Sequence, residues 1–487
     1  MPSILSKHIV AKLLGSEWSF GYNCYEVGHT WTPSCTEAAL EISYAAGTRI
    51  LPLYALLYGF TQVAVMRRLD AAASWETIKS IVRSTSFIFF HIYSGSIIGC
   101  TFRNTTGRFY YRLLVLFPSL LSSYMSILIE KPSRRQALAF YLLNMASEVV
   151  YRMAVNKGYL VPIRYGETLL FASSLAAWYY LIKKHGFGHD PVSSVAKVLV
   201  GREEAKSRRS RKGGEEEVKR LRRLEMRGGG LKEESSPTGE IKSPSKLDVL
   251  WELLAGKVGG RHASCPHDEL ACFYYVVKPI PTRFLTGCLI QTALKLSSQP
   301  MQLINDPIGT ILRVVSSGNT LRFGLFVTTL VSSGRLTSCL LRRYSNSNDQ
   351  NWHACVSGFV AGLSMLWSPR SSLSMYIMWK AIEQYYLLAA SQGKIPYFNL
   401  SISTIYSFSA AALLYTFALE PSLMRPSYMK FLDRLSDHKL HQLNRMVLDV
   451  FGTDSSKGYE DYFPDLNLEL MSNQFKELIF NWMIQPY

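Results

Sequence analysis

The fold is decided by two stretches that resemble each other, YLLNMASEVVYRMAVNKG at Tyr141–Gly158 and YIMWKAIEQYYLLAASQG at Tyr376–Gly393. One constant offset of 235 residues aligns them, and the alignment continues without a gap to Phe171 and Tyr406. The matched pairs are Tyr141 with Tyr376, Ala146 with Ala381, Glu148 with Glu383, Tyr151 with Tyr386, Ala154 with Ala389 and Gly158 with Gly393. A shared glutamate followed by a shared glycine is harder to obtain by chance than shared Leu and Ala. We therefore interpret the chain as two diverged repeats.

Several apolar stretches approach the length of about 20 residues that a bilayer core requires. They are Arg49–Met66, Ser86–Phe102, Leu113–Ile129 and Thr168–Ile182 in the first half, and Phe284–Leu296, Leu321–Leu341, His353–Trp367, Leu373–Ala390 and Thr404–Leu419 in the second. The sequence therefore predicts an all-α fold, a polytopic membrane helical bundle built from two diverged repeats. Four crossings per repeat are favoured over five, because Phe284–Leu296 is short and contains Gln291 and Lys295.

Composition divides the chain into six segments. They are an amino-terminal Cys/His-rich segment (1–46), a first transmembrane repeat (47–183), a charged and largely disordered linker (184–260), a second Cys/His-rich segment (261–282), a second transmembrane repeat (283–420) and a carboxy-terminal amphipathic tail (421–487). In the tail, Met429, Leu432, Leu435 and Leu440 lie near helical spacing, which predicts a helix along the membrane or against the bundle.

The formal charge of +17 is carried beside the apolar stretches and in the linker. This distribution indicates the positive-inside bias of membrane proteins and contact with the lipid bilayer, and no recognition motif for nucleic acid accompanies it. The bias predicts that the linker, the tail and the basic loops around Lys79 and Lys131 share one side of the membrane.

Three serines of the linker have the sequence context of regulatory phosphorylation sites. Ser210 follows two arginines, and Ser236 and Ser243 each precede a proline. Phosphate would weaken the attraction of the basic linker to anionic lipid, and simple solvation is the alternative role. The sequence has no phosphate loop, no GxSxG elbow and no HExxH motif, so the chain is expected not to be an enzyme.

Each half opens with a cluster of potential zinc ligands. CYEVGHTWTPSC contains Cys24, His29 and Cys35, and HASCPHDELAC contains His262, Cys265, His267 and Cys272. Zinc prefers tetrahedral thiolate and imidazole ligands, so three residues in the first cluster leave one position for a ligand from elsewhere. A disulfide and a plain structural role are the alternatives, and no cofactor is required by the sequence. Cys100, Cys288 and Cys339, in or beside apolar stretches, are interpreted as packing residues.

Charged residues in the two matched stretches are costly in lipid and need partners. Glu148 and Arg152 stand four residues apart, and Lys380 and Glu383 stand three apart, so pairing within each helix is one interpretation. The other is a polar seam between the two halves, faced by both glutamates. Gly358 and Gly362 form a small-xxx-small motif that predicts close helix packing.

Several strings resemble the transmembrane protein 135 family, a family also described as peroxisomal membrane proteins. They are NCYEVGHTWTPSC (23–35), KPSRR (131–135) before YLLNMASEVVYRMAVNKG, GFVAGLSM (358–365), GKIPYF (393–398), RPSYMKFLDRL (425–435) and VLDVFGT (447–453). The glycine-containing repeat resembles, more faintly, the four-span mitochondrial translocase channel family.

The resemblance implies a multi-pass protein of mitochondrial and peroxisomal membranes. It implies a regulator that promotes mitochondrial fission with the dynamin-related machinery and affects peroxisome organisation and lipid homeostasis. A homo-oligomer is compatible with this role. The alternative is a carrier or channel for a lipid-like or small polar substrate.

Overall fold

The computed structural model describes residues 19–66, 70–185, 265, 267, 272–298, 306–345, 350–395, 401–449, 451–459 and 462–484. These residues are all-α apart from one antiparallel ribbon, in which Ser19–Phe20 (β1) pairs with Phe109–Tyr110 (β2). The structure thus confirms the predicted fold class. The charged linker with Ser210, Ser236 and Ser243, and also His262, lie outside the described residues.

The first part of the chain forms six α-helices among the described residues. They are α1 (Cys24–Val27), α2 (Cys35–Phe60), α3 (Ala71–Thr106), α4 (Leu113–Ile127), α5 (Pro132–Asn156) and α6 (Gly166–His185). A π-helical segment, Thr61–Met66, continues α2. Helix α3 ends at Gly107, whose left-handed φ of 67° is the conformation that glycine adopts most easily.

The remaining helices of the described residues lie in the second part of the chain, from Cys272 onward. They are α7 (Cys272–Val277), α8 (Ile280–Ser298), α9 (Pro307–Val315), α10 (Gly318–Ser345), α11 (Asn351–Gly362), α12 (Ser371–Ser391), α13 (Ser401–Leu419), α14 (Pro426–Leu435), α15 (Arg445–Asp449) and α16 (Asn473–Ile484), with 3-10 turns at Leu363–Trp367, Pro421–Leu423, Lys439–Gln442 and Leu468–Leu470.

The two matched stretches become α5 and α12, and their ends agree with the offset of 235 residues. Gly158 follows α5 with φ 75°, and Gly393 follows α12 with φ 71°. In both places the left-handed glycine ends the helix. The equivalence of the two ends supports the duplication, which stays a prediction.

The chain divides into two compact units that do not coincide with its two halves. The first contains residues 1–161 and 398–487, and the second contains residues 162–397. Helix α6 therefore belongs to the second unit, where it packs on α11 and α12, whereas α13 belongs to the first unit, where it packs on α4 and α5. The last helix of each predicted repeat thus belongs to the unit that contains most of the other repeat.

Within the first unit, α3 and α4 are antiparallel neighbours joined by polar contacts. His91 Nδ1 lies 3.1 Å from Ser126 Oγ, and Ser84 donates a hydrogen bond of 2.7 Å to Glu130. Small residues allow the close approach, because a Cβ atom on Gly95 would lie 3.2 Å from Ser122 Oγ. A stripe of buried serines therefore follows the seam between these two helices.

Helix α13 runs parallel to α5, and this direction decides where the tail lies. Near the start of both helices Ala139 shares a core with Tyr406, and at their ends Lys157 Nζ pairs with Glu420 at 2.9 Å. The tail therefore leaves the bundle at the end opposite Lys131, which donates to Ser80 near the start of α3. Within the first unit the tail and the basic loop at Lys131 thus lie at opposite ends of α5, and the expectation that they share one side of the membrane stays a prediction.

At that end of the first unit the tail and the amino-terminal segment form one folded head. Its core contains Phe20, Tyr22, Tyr25, Val27, Phe109, Tyr111, Leu419, Val447, Leu448, Leu466, Met471 and Phe475. Backbone bonds join the two segments directly, as the Asn444 amide donates to the Val27 carbonyl at 3.0 Å. Helix α14 rests against the bundle, where Met429 and Leu432 pack beside Val149.

In the second unit the GFVAG segment of α11 meets α6 at very short range. A Cβ atom on Gly358 would lie 2.8 Å from the Leu175 carbonyl oxygen, and one on Gly362 would lie 2.9 Å from Ala172 Cβ. No larger side chain fits either position without a backbone shift. The predicted packing motif is thus confirmed, and its partner is α6.

Three of the described helices are long and apolar enough to cross a membrane by length and composition, namely Ala71–Thr106, Gly318–Ser345 and Ile402–Leu419. Helix α4 is apolar but shorter. The chain is a helical membrane protein, and the number of crossings per half stays a prediction.

The contact between α11 and α6 makes a prediction about stability. Gly362→Ala should lower the stability of the second unit by about 1–3 kcal/mol, because the new methyl group overpacks the contact with Ala172. Gly318→Ala is the control, since no atom lies within 4 Å of its added Cβ. Thermal unfolding in detergent, followed by tryptophan fluorescence, measures both. Equal melting temperatures would contradict the packing role.

Candidate functional site

The first Cys/His cluster gathers four potential ligands around one point. The ligand atoms of Cys24, His29, Cys35 and Cys100 all lie within 4.8 Å of one another. Cys24 opens α1 and Cys35 opens α2, while Cys100 lies near the end of α3. Four ligands from three helices and one loop therefore converge at the head end of the first unit.

Local capping fixes the segment that carries these ligands. Asn23 and Glu26 form a reciprocal capping box at the start of α1, with hydrogen bonds of 2.9 and 2.6 Å. Ser34 caps α2 by accepting from the Glu37 amide at 3.3 Å. Arg103, one turn beyond Cys100, donates to the backbone carbonyl of Tyr22 at 2.9 Å. This hydrogen bond attaches α3, which carries Cys100, to the segment that carries Cys24 and His29.

His29 presents the ring nitrogen that a metal ion requires. Its Nδ1 lies 2.7 Å from the Thr32 carbonyl oxygen, which accepts only if Nδ1 carries the proton. Its Nε2 is buried and has no hydrogen-bond partner, and in the neutral ring with the proton on Nδ1 it is the nitrogen that can bind a metal. A backbone carbonyl that orients a ligating histidine in this way is the usual second partner at zinc sites. The residues present fit a tetrahedral metal ion.

The thiols of the first cluster differ in the direction of their pKa shifts. A hydrogen bond from the Cys100 thiol lowers the pKa of Cys24 to about 5, although burial opposes the shift. Burial and the neighbouring Cys24 raise the pKa of Cys35. Of these two cysteines, Cys24 therefore reaches the metal-binding thiolate form more easily.

The second cluster repeats the arrangement within the second unit. The ligand atoms of Cys265, His267, Cys272 and Cys339 lie within 4.8 Å of one another, and Cys272 opens α7 as Cys35 opens α2. The sulfur atoms of Cys265 and Cys272 are 3.7 Å apart, so they are not joined as a disulfide. A hydrogen bond from the Cys339 thiol lowers the pKa of Cys265 to about 4.

His267 is held by a stacked aromatic ring in the second cluster. Its imidazole lies 4.4 Å from the ring of Tyr275, nearly parallel to it, and Arg335 covers the same tyrosine at 4.3 Å. Arg335 belongs to α10, the helix that carries Cys339. The imidazole is thus positioned by the same helix that supplies the fourth sulfur.

The structure adds two residues that the sequence analysis assigned to packing, Cys100 and Cys339. Both lie in long apolar helices and far along the chain from the other ligands, so spacing gave no sign of them. One signal was available, because Cys35 to Cys272 and Cys100 to Cys339 are both within four residues of the 235-residue offset. The third cysteine interpreted as packing, Cys288, does lie against Gly324 of α10.

Glu148 is the second feature that the sequence singled out, and two arginines hold it. Arg152 Nη2 lies 2.6 Å from one carboxylate oxygen. Arg425, just before α14, bonds both oxygens through Nε and Nη2. The carboxylate is 5% exposed, whereas the side chains of Arg152 and Arg425 are 41% and 37% exposed. The glutamate thus ties the tail to α5, a contact with Arg425 that spacing alone did not indicate.

Glu383 has the equivalent intrahelical partner. Lys380 Nζ lies 2.7 Å from its Oε2, and both side chains are nearly buried. Glu148 belongs to the first unit and Glu383 to the second, and each is bound inside its own unit. A seam faced by both glutamates stays a prediction.

Fold and clusters together define the class of protein, a helical membrane protein with two Cys/His segments that each fold onto a long apolar helix. Residues 21–155 match the family model described as the N-terminal cysteine-rich region of Transmembrane protein 135. The match confirms the resemblance to the transmembrane protein 135 family, and the matched residues include Cys24, His29, Cys35 and Cys100. It lends no support to the likeness to the translocase channel family. No solved structure matches the chain.

The arrangement around Glu148 predicts an order of severity for substitutions. Arg152→Leu combined with Arg425→Leu should cost about 3–5 kcal/mol, because it leaves a buried carboxylate unpaired. Glu148→Gln should cost less, about 1–3 kcal/mol, since the two arginines can be hydrated. Thermal unfolding of the purified protein gives the order. Glu76→Gln, which breaks the exposed pair with Lys79, is the control and should have little effect. The reverse order would contradict the anchoring role.

Proposed function

We propose that the chain is a regulator of organelle membranes that promotes mitochondrial fission together with dynamin-related machinery. It acts as a scaffold in mitochondrial and peroxisomal membranes and influences peroxisome organisation and lipid homeostasis. The family match over residues 21–155 supports the membrane and family part of this proposal. The organelle, fission and lipid roles follow from the family resemblance of the sequence.

The observation that favours a scaffold is the fixation of Glu148 by the tail. A carrier that uses an intramembrane carboxylate must leave it available to substrate or proton. Here both oxygens accept hydrogen bonds from arginine, and Arg425 brings the tail onto the bundle. The carboxylate therefore serves to hold a folded head of terminal segments in place. Such a head is a rigid surface on which a soluble partner can assemble.

A carrier or channel is the second candidate, and the serine stripe between α3 and α4 favours it. Ser84, Ser122, Ser123 and Ser126 are almost fully buried there, and His91 faces the stripe through Ser126. Polar groups along a membrane helix can line a path for a solute, although small polar residues also serve close packing. The two functions differ in an assay of flux. A scaffold reconstituted in vesicles transports nothing.

Cells that lack the protein should have elongated mitochondria, and wild-type protein should restore their length. Arg425→Leu should restore it incompletely at equal protein abundance, because the tail loses one of its anchors on Glu148. Mitochondrial length and the amount of dynamin-related GTPase on the membrane are the readouts, with Glu76→Gln as the control. Unchanged mitochondrial length in cells without the protein would refute the regulator role.

Reconstituted vesicles give the complementary measurement. The purified protein should produce no flux of small polar solutes or lipid above that of empty vesicles. Flux that Ser123→Leu abolishes, in a variant that still folds, would instead establish the carrier.

A further inference from the structure

We propose that each Cys/His cluster binds one zinc ion, with Cys100 and Cys339 as the fourth ligands, and that both ions are structural clamps. This inference does not depend on the proposed function. It assigns two metal sites and a role for two cysteines that lie inside apolar helices.

The spacing of the ligand atoms is that of a single tetrahedral ion. Zn–S bonds of about 2.3 Å at tetrahedral angles place sulfur atoms about 3.8 Å apart. Cys265 and Cys272 have a sulfur separation of 3.7 Å, and no pair of ligand atoms in either cluster exceeds 4.8 Å. A two-iron cluster distributes four ligands over two metal atoms and needs a wider arrangement. A disulfide needs sulfur atoms about 2.05 Å apart.

The donor set selects the metal. Three thiolates and one imidazole form a combination that is common at structural zinc sites, and four protein ligands leave no open position for substrate. In the first cluster Nε2 of His29 is buried without a hydrogen-bond partner, and Nδ1 of the same ring lies 2.7 Å from the Thr32 carbonyl oxygen. A buried nitrogen without a partner is destabilising, and a bound cation would remove that cost.

The two clusters share one design. In each, a cysteine and a histidine precede a helix that starts with the next cysteine, and the fourth cysteine lies near the end of a long apolar helix. In the second unit the long helix is α10. Lys295, near the end of α8, donates to Ser317, just before α10, at 2.7 Å, so these two helices are antiparallel. Chance grouping of cysteines would not give the same order of ligands twice.

The zinc ion proposed for the first unit would hold in place more of the chain than the segment that carries Cys24 and His29. The segment that carries Cys24 and His29 also binds the tail, since the Ser472 amide donates to Glu26 Oε1 at 2.5 Å and Thr30 donates to the Gln442 carbonyl at 2.6 Å. An ion held by Cys100 therefore links the whole head to α3. Loss of the ion should loosen the amino-terminal segment and the tail together.

The test is metal content of the full chain, purified in detergent with a reductant that does not bind metal and measured by plasma mass spectrometry. Wild-type protein should hold two zinc ions per chain. Cys100→Ser and Cys339→Ser should each hold one, and the double variant none. Cys355→Ser, which alters a cysteine outside both clusters, should still hold two. Wild-type protein without stoichiometric zinc, or two zinc ions in Cys100→Ser, would overturn the proposal.

A second measurement does not require the variants to fold. In wild-type protein, zinc should protect Cys24, Cys35 and Cys100 from maleimide, and a chelator should expose them together while Cys355 reacts at an unchanged rate. Limited proteolysis after chelation should then cut residues 19–34 and the tail, and added zinc should reverse both effects. Labelling of Cys100 at equal rates with and without chelator, or a disulfide within a cluster, would show that these cysteines are not ligands.

Discussion

Helices that share a bilayer gain little from burying apolar surface against one another, because lipid tails are as apolar as leucine. The bundle therefore depends on backbones that approach closely and on polar groups that find partners. Both devices recur throughout this chain. Gly358 and Gly362 bring α11 against α6, and an added Cβ on Gly287 would lie 2.9 Å from Gly324 Cα where α8 meets α10. Elsewhere Glu130 and Glu148 are each enclosed by hydrogen-bond donors.

The polar contacts also join parts of the chain that are distant in sequence. The first Cys/His cluster connects the start of α2 with the end of α3, and Glu148 connects α5 with the residues that lead into α14. Each connection attaches a terminal segment to a helix of the bundle. Ionic and sulfur-bearing side chains thus attach the head of the first unit to the bundle in addition to its aromatic core.

Much of this architecture was accessible from the sequence. Apolar length and the repeat at Tyr141 and Tyr376 predicted an all-α membrane bundle, because hydropathy and helical period are local properties. Residues that contact partners far away along the chain could not be identified from local sequence patterns. Cys100 and Arg425 meet partners that are far away along the chain, and neither has a spacing that distinguishes it from a packing cysteine or a surface arginine. The parallel direction of α13 and α5 was not accessible for the same reason, since only tertiary contacts determine it.

The exchange of α6 and α13 makes the order of synthesis matter. Helices α2 to α5 leave the ribosome early, yet α13, which covers α4 and α5, begins only at Ser401. Until then Ala139, Val149 and the carboxylate of Glu148 lack the neighbours that bury them in the finished protein. Contacts of such high sequence separation form slowly and leave interaction-prone surface uncovered in the meantime. The residues of α4 and α5 that α13 buries therefore stay uncovered until the chain has been made beyond Ser401.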